Sequence, residues 1–178
     1  MAHARRRQVK KIVEIGPWGG RGGRAWDDGS HDGIREIFVV HGDCIDSITV
    51  VYDKHGTPFT APKHGGVGGV KTAQVQLQFP EEYLSYVSGY YGEHNGSLVI
   101  RSLTFKTNRG TTYGAFGVEE GTPFSLPVAG GMIVGFKGRS GWYVDSIGCH
   151  VARLSSSTSA NCAFKGKLKK FFTTVFKG

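Results

Sequence analysis

Short runs of alternating apolar and polar residues, rich in β-branched side chains, recur along the chain and predict β-strands. Three such runs are ITVVYD at 48–53, LVIRSLTFKT at 98–107 and IGCHVARL at 147–154. Segments rich in glycine, among them GPWGGRGG, KHGGVGG and RSG, separate the runs and are typical of turns. Before Leu154, no window of about 11 to 18 residues sustains a 3.6-residue apolar period. The pattern therefore predicts an all-β body.

A seven-residue pattern that precedes two of these runs indicates internal symmetry. GDCIDSI begins at Gly42 and GWYVDSI begins at Gly141, and both read G-x-x-x-D-S-I. Equal structural units place equivalent loops at equal intervals, so a third copy is expected midway. GEHNGSL begins at Gly92, with Gly96 in place of the aspartate. We predict three sheet units of about 50 residues each, and we expect the middle pattern, which lacks the carboxylate, to bind nothing.

Length and composition suit one soluble domain with short appendages. The chain has 178 residues, 39% of them hydrophobic, which is enough for a core, and its 28 glycines are interleaved with large apolar residues. Three cysteines, Cys44, Cys149 and Cys162, leave one unpaired in any disulfide scheme, which suits a reducing compartment. There is neither an apolar run long enough to span a membrane nor a secretory signal pattern. We therefore expect a cytoplasmic or nucleocytoplasmic protein.

The net charge of +8 is concentrated at the two ends of the chain. Residues 1–11 and 164–178 each carry five basic and no acidic residues, which leaves 12 basic and 14 acidic residues between them. Nucleic-acid-binding domains normally carry basic surface on the fold itself, so we expect no nucleic acid on the folded domain. GGVGGVKT fails as a phosphate loop because Val70 stands where a glycine is needed, and WDDGS after GGRGGRA is not a helix start.

Catalytic and metal-binding patterns are missing from the sequence. There is no C-x-x-C or H-x-x-x-H spacing, and no paired carboxylates or nucleophile–base pair can be placed. We therefore predict no metal, no cofactor and no enzymatic activity. A glycine-rich loop paired with a G-x-x-x-D loop instead suits a polyhydroxylated ligand, because a carboxylate accepts two hydroxyl hydrogens while backbone N–H groups donate. Trp142 or Tyr143 can lie beside the C–H surface of a sugar.

From about Ile12 to Leu154 the sequence resembles the jacalin-related lectins. Six ordered stretches carry the resemblance: GPWGGRGGRAWDDG at 16–29, GIREIFV at 33–39, VSGYYG at 87–92, VIRSLTFKTNRGTTYGAFG at 99–117, GTPFSLPV at 121–128 and IVGFKGRSGWYVDSIG at 133–148. The resemblance implies a β-prism, in which three four-stranded Greek-key sheets surround a pseudo-threefold axis. It also implies a non-catalytic lectin that binds carbohydrate, and we expect a homo-oligomer.

The resemblance assigns a sugar site to particular residues. It implies main-chain N–H donors at Gly23, Trp142 and Tyr143, a turn opened by Gly141, and a carboxylate acceptor at Asp145. The alternative is that Asp145 only caps a tight turn. Galactose binders of the family are cleaved just before a glycine of the first loop, whereas mannose and glucose binders keep that chain intact. Because nothing here suggests cleavage, we expect mannose- or glucose-containing glycans as partners.

A second sugar site is implied by some mannose-specific family members. The loop GDCID would supply Asp43, Cys44 and Asp46, and KHGGVGG would supply Gly65 or Gly66. The alternative is that Asp46 is an ordinary turn residue and that the neighbouring Lys63 and His64 crowd the pocket.

The ends of the chain depart from the minimal lectin domain. We divide the chain into a basic N-terminal extension at 1–11, the lectin domain at 12–154, and a Ser-rich linker with a basic tail at 155–178. Apolar residues of the tail recur at three- and four-residue spacing, with lysines mostly between them, which predicts an amphipathic helix for a membrane surface or a protein partner. Docking of the tail on its own domain is the alternative. The competing function is a scaffold that acts through its basic termini.

Overall fold

The computed structural model describes residues 11–154. The predictions for residues 1–10, for Cys162 and for the tail at 155–178 lie outside this range. The described part folds into thirteen β-strands. Within residues 11–154, no helix has the length and apolar character needed to cross a membrane.

The strands form three antiparallel sheets. The first sheet has the order β1 (Ile12–Gly19), β13 (Val144–Arg153), β12 (Gly131–Ser140) and β2 (Arg24–Asp27). The second has the order β5 (Thr57–Thr60), β4 (Ile45–Lys54), β3 (Gly33–His41) and β7 (Lys71–Gln76), with β6 (His64–Gly65) also paired to β4. The third has the order β10 (Thr112–Gly117), β9 (Ser97–Thr107), β8 (Leu84–His94) and β11 (Thr122–Pro127).

The predicted all-β architecture of three sheets is confirmed, with one local difference. In the second sheet, β5 and β6 together take the place of the single outer strand seen in the other two sheets. Pro62 lies between these two short strands. Proline has no N–H to donate to a neighbouring strand, so it favours interruption of the pairing at this edge.

The same connectivity recurs in each sheet. Two inner strands form a hairpin, which is β12–β13 in the first sheet, β3–β4 in the second and β8–β9 in the third. Two outer strands flank the hairpin and are joined by a loop, which begins with a glycine in the first two sheets and with Val118 in the third. The hairpin turn and this loop lie at the same end of each sheet. The first sheet is built from the first two and the last two strands of the chain, so it closes the prism.

The core lies between the three sheets, and each sheet contributes one fully buried aromatic side chain to it. Phe136 of β12, Tyr52 of β4 and Phe105 of β9 are all fully buried. Phe105 and Phe136 pack edge to face, with ring centroids 6.3 Å apart. Burial of these side chains removes a large apolar area from water, and this favours assembly of the three sheets.

A buried hydroxyl joins the first and second sheets. The Tyr52 hydroxyl donates a hydrogen bond to Asp28 Oδ2 at 2.8 Å and accepts one from the Phe136 N–H at 3.2 Å. His64 Nε2 lies 2.7 Å from the other oxygen of Asp28. Burial and the Asp28 carboxylate raise the pKa of Tyr52 well above its ordinary value, so the phenol keeps its proton and can donate.

We predict that Tyr52→Phe lowers the free energy of unfolding by about 2 kcal/mol, because it leaves a buried N–H and a carboxylate oxygen without this partner. Urea unfolding followed by fluorescence measures the change. Tyr90→Phe is the matched control, since the Tyr90 hydroxyl has no hydrogen bond within residues 11–154. Equal effects of the two substitutions would contradict the proposed role of the Tyr52 hydroxyl.

Candidate functional site

The hairpin turn and the glycine-rich loop of the first sheet are joined by their main chains. The turn at 141–143 connects β12 to β13, and the loop at 20–23 connects β1 to β2. The Gly20 N–H donates to the Asp145 carbonyl oxygen at 2.8 Å. This bond fixes the loop against the first residues of β13, where Asp145 lies.

The Asp145 carboxylate lies under the glycine-rich loop. A Cβ atom at position 22 would be 2.6 Å from Asp145 Oδ1, and one at position 23 would be 2.7 Å from Oδ2. Such distances are shorter than van der Waals contact, so only glycine lets the loop approach both carboxylate oxygens. Asp145 is consequently only 6% exposed.

Burial is the largest influence on the ionisation of Asp145. It raises the pKa of the carboxyl above its ordinary value of 3.8, while a main-chain hydrogen bond from Gly141 and the charge of Arg139 act in the opposite direction. A raised pKa marks a carboxylate that is poorly hydrated in the folded protein. Such a group gains from a ligand that donates hydrogen bonds to it.

Arg139 of β12 holds the glycine-rich loop in place. Its Nε donates to the Gly22 carbonyl oxygen at 3.0 Å, and its Nη2 donates to the Gly23 carbonyl oxygen at 2.9 Å. The planar guanidinium thus fixes two successive peptide groups. The sequence interpretation missed this arginine, although its place directly before Ser140 and the turn could have indicated a role.

The predicted residues of the hairpin turn lie beside this loop. The Gly141 N–H donates to the Tyr143 carbonyl oxygen at 3.0 Å and closes the turn. A Cβ atom at position 141 would be 3.4 Å from the Gly23 Cα. The Trp142 side chain is 79% exposed. The structure therefore brings Gly23, Gly141 and Asp145 together, with Trp142 and Tyr143 in the connecting turn.

Tyr143 is held by the hairpin of the third sheet. Its hydroxyl accepts a hydrogen bond from Asn95 Nδ2 at 3.1 Å, and the His94 ring packs edge-on against it with centroids 5.1 Å apart. This contact between units fixes the C-terminal part of the turn at 141–143.

The second sheet repeats the geometry of the first around Asp46. A Cβ atom at position 68 would be 2.8 Å from Asp46 Oδ1, and one at position 69 would be 2.9 Å from Oδ2. Asp46 is 6% exposed, and burial raises the pKa of its carboxyl, as it does for Asp145. Both loop pairs therefore place a buried carboxylate beneath two glycines.

The structure places Gly68 and Gly69 beside the Asp46 carboxylate, in place of the predicted Gly65 and Gly66. Gly66 instead donates its N–H to the Asp46 carbonyl oxygen at 3.0 Å, as Gly20 does to Asp145 in the first unit. A Cβ atom at position 65 would be 2.1 Å from the same carbonyl oxygen. The sequence could have indicated the correct glycines, because GGRGG and GGVGG align residue by residue and match Gly69 to Gly23.

The other residues of the second loop pair differ in exposure. Asp43 is exposed, whereas Cys44 is 1% exposed, and burial raises the pKa of its thiol to about 12. The thiol therefore stays protonated at neutral pH, so Cys44 offers a ligand its main-chain N–H and not a thiolate. His64 stacks on Trp26 with centroids 3.8 Å apart and is bonded to Asp28, and Lys63 Nζ donates to the Gly66 carbonyl oxygen at 3.1 Å.

In the third unit the residue at the position of the aspartate is Arg101, so the prediction that Gly96 replaces it was wrong. Strand register identifies the position in the third unit that is equivalent to Asp145 and Asp46. In each unit, the serine that follows this position pairs with a residue of the other inner strand of the hairpin. Ser146 pairs with Arg139, Ser47 with Val40, and Ser102 with Tyr90.

The error came from an assumption of equal hairpin length. In the third hairpin, eight residues, 92–99, separate Tyr91 from its partner Ile100. In the first hairpin, only three residues, 141–143, separate the equivalent partners Ser140 and Val144. Gly96 lies in the turn of the longer hairpin. The third loop pair thus lacks the buried carboxylate of the other two.

Two carboxylates and a histidine lie close together in the first sheet. Glu14, Asp27 and His150 could place their ligand atoms within 4.8 Å of one another. His150 Nε2 is 2.7 Å from Asp27 Oδ1, and the Lys137 ammonium lies 2.5 Å from Glu14 Oε2 and 3.8 Å from Asp27 Oδ2. The Lys137 ammonium therefore already interacts with both carboxylates.

A family model described as "Jacalin-like lectin domain" matches residues 15–150. "Jacalin-related lectin 19" of Arabidopsis thaliana is 58% identical over 151 residues, which are 84% of this chain and 85% of that protein. "Galactose-specific lectin" of Morus indica is 50% identical over 145 residues, which are 79% of this chain and 92% of that protein. A solved structure described as a mannose-specific jacalin-related lectin from Morus nigra in complex with mannose is 54% identical, covers 84% of this chain and 99% of that one, and has a TM-score of 0.76.

We predict that Arg139→Met raises the rate of amide hydrogen exchange in the loop at 20–23 about fivefold or more, because two hydrogen bonds to the loop carbonyls are lost. Hydrogen exchange followed by NMR measures the rates. Arg21→Met is the control, since Arg21 is an exposed residue of the same loop. Unchanged exchange in the Arg139 variant would show that the glycine-rich loop does not depend on this arginine.

Proposed function

Because the chain belongs to the jacalin-like lectin family and is therefore a carbohydrate-binding lectin and not an enzyme, we propose that it binds mannose- or glucose-type sugars. The first site is the pair of loops at 20–23 and 141–145. The second is the equivalent pair at 42–46 and 65–69.

The observation that carries the proposal is the buried carboxylate beneath two glycines. Asp145 has both oxygens against the glycine-rich loop and a pKa raised by burial. Two neighbouring hydroxyls of a hexose would donate to these oxygens, while the N–H groups of Gly23, Trp142 and Tyr143 would donate to sugar oxygens. Charge-assisted hydrogen bonds are stronger than neutral ones, so the carboxylate would contribute most of the affinity.

Mannose or glucose is favoured over galactose by two observations. In the uncleaved chain, Arg139 holds the carbonyls of Gly22 and Gly23 in the loop between β1 and β2. Gly23 therefore offers an amide N–H and not a charged amine. A related lectin of the same fold and 54% identity is described as mannose-specific and bound to mannose. The galactose-specific relative at 50% identity makes galactose the competing ligand.

Symmetry supports the second site. Asp46 repeats the burial, the glycine contacts and the raised pKa of Asp145, and Asp43 and Cys44 take the places of Trp142 and Tyr143. An ordinary turn residue would not need two glycines against its carboxylate. The third unit, with Arg101 at the aspartate position, is not proposed as a site.

The remaining expectations about location and partners stay proposals. They are a cytoplasmic location, assembly into a homo-oligomer, and contact of the basic termini with a membrane surface or a protein. A scaffold that acts only through its termini is the competing function. It would bind its partner equally well after loss of both carboxylates, whereas a lectin would lose its glycan.

We predict that two methyl α-mannoside molecules bind per chain, and that Asp145→Asn and Asp46→Asn each reduce the number to one. Asparagine keeps the shape of the side chain but removes the charge and turns one acceptor into a donor, so affinity at the altered site falls about 100-fold or more. Isothermal titration calorimetry measures the stoichiometry.

Each of these variants is the control for the other, since both remove one buried carboxylate from the same surroundings. Circular dichroism confirms that the fold is kept. One sugar per wild-type chain, unaffected by Asp46→Asn, would eliminate the second site. Full binding by the Asp145→Asn protein would eliminate the first.

We further predict that methyl α-galactoside binds about tenfold more weakly than methyl α-mannoside, because the two sugars differ in the orientation of the hydroxyls at C2 and C4, and a misplaced hydroxyl leaves a hydrogen bond of the site unmade. Calorimetry with the two sugars under the same conditions gives the ratio. Equal affinities, or tighter binding of the galactoside, would refute the proposed specificity and leave carbohydrate binding itself untouched.

A further inference from the structure

Arg101 of β9 connects the third unit to the hairpin turn of the second unit. Its Nε donates to the Asp43 carbonyl oxygen at 2.9 Å. Its Nη1 donates to the Glu93 carbonyl oxygen at 2.8 Å, and its Nη2 lies 3.3 Å from Glu120 Oε2. The side chain is 13% exposed. Nη1 and Nη2 therefore anchor the guanidinium within its own unit, and the Nε–H group is directed at the second unit.

The bond to Asp43 fixes more than one carbonyl group. The peptide between Asp43 and Cys44 is planar and trans, so its C=O and N–H groups point in opposite directions. When Arg101 holds the carbonyl oxygen on one side, the Cys44 N–H must point to the other. The Cys44 N–H is equivalent to the Tyr143 N–H of the first unit, and it is one of the donors of the proposed second site.

The equivalent peptide of the first site is also supported by a neighbouring unit, but by a different contact. A Cβ atom at position 66 would be 2.2 Å from the Trp142 carbonyl oxygen, so the backbone of the second unit lies directly against the peptide between Trp142 and Tyr143. The first site thus relies on close packing of a glycine, and the second on a charged hydrogen bond. Of these two contacts to the peptide carbonyl, only that in the second site comes from a side chain.

We propose that Arg101 is a positioning residue of the second carbohydrate site, in which it orients the Cys44 N–H toward the sugar through the Asp43 carbonyl. The inference rests on the second site proposed above. It gives the third unit a function: where the other units carry the binding aspartate, this unit carries an arginine that prepares the site next to it.

The test is an NMR titration of the ¹⁵N-labelled chain with methyl α-mannoside, in which each site is followed by its own amides. Cys44 and Ser47 report on the second site, and Tyr143 and Ser146 report on the first. We expect Arg101→Met to weaken the second site about tenfold and to leave the first within about twofold. Arg101→Lys keeps one donor for the Asp43 carbonyl and should weaken the second site only about threefold.

Arg109→Met is the matched control, because it removes an arginine from the turn after β9, at the opposite end of the strand, where Arg109 Nη1 donates to Gln78 Oε1 at 3.1 Å. Both sites should keep their affinity in this variant.

The outcomes separate this inference from the function on which it rests. If mannoside shifts only the first-site amides of the wild type, the second site fails and the role of Arg101 fails with it. If both sites respond but Arg101→Met changes neither, or weakens both equally, only the positioning role is refuted. If Arg101→Met does not fold, Arg101→Lys decides: selective weakening of the second site is expected, and wild-type affinity there would overturn the inference.

Discussion

The contact between a glycine-rich loop and a buried aspartate is the constraint on which the functional end of the molecule depends. Hypothetical Cβ atoms at positions 22 and 23 would lie 2.6 and 2.7 Å from the oxygens of Asp145, so any larger residue would push the loop away. The close approach of the loop buries the Asp145 carboxylate and removes part of its hydration. The pKa of Asp145 is raised because this loss of hydration disfavours the charged form. A sugar hydroxyl that restores the lost hydrogen bonds is then favoured over water.

The three units depend on one another because each loop pair contacts the next. Gly20 of the first unit packs against the Leu98 carbonyl of the third, and Gly66 of the second packs against the Trp142 carbonyl of the first. Arg101 of the third unit completes the ring with its hydrogen bond to the Asp43 carbonyl of the second. The positions of the main-chain donors in one unit are therefore set by residues of another, which explains how short loops can be held rigid.

Much of this architecture could be predicted from the sequence, because the repeated G-x-x-x-D-S-I pattern and its spacing reflect strand pairing that recurs in each unit. The first loop pair could also be assigned, since Gly23 and Asp145 lie in stretches with a specific resemblance. Sequence spacing predicted the wrong residue where the hairpin lengths differ. It matched Gly96 to the two aspartates, whereas strand register puts Arg101 at that position. Contacts between units, such as that of Arg101 with the Asp43 carbonyl, could not be predicted, since they join residues far apart in sequence.

We propose that a buried aspartate beneath a glycine pair is a sugar site wherever it occurs in this prism. A crystal structure of the chain with methyl α-mannoside tests it most directly. We expect one sugar within hydrogen-bond distance of the Asp145 carboxylate, a second at Asp46, and none at Arg101. Sugar bound away from both carboxylates, or found beside Arg101 and absent from Asp145, would contradict it.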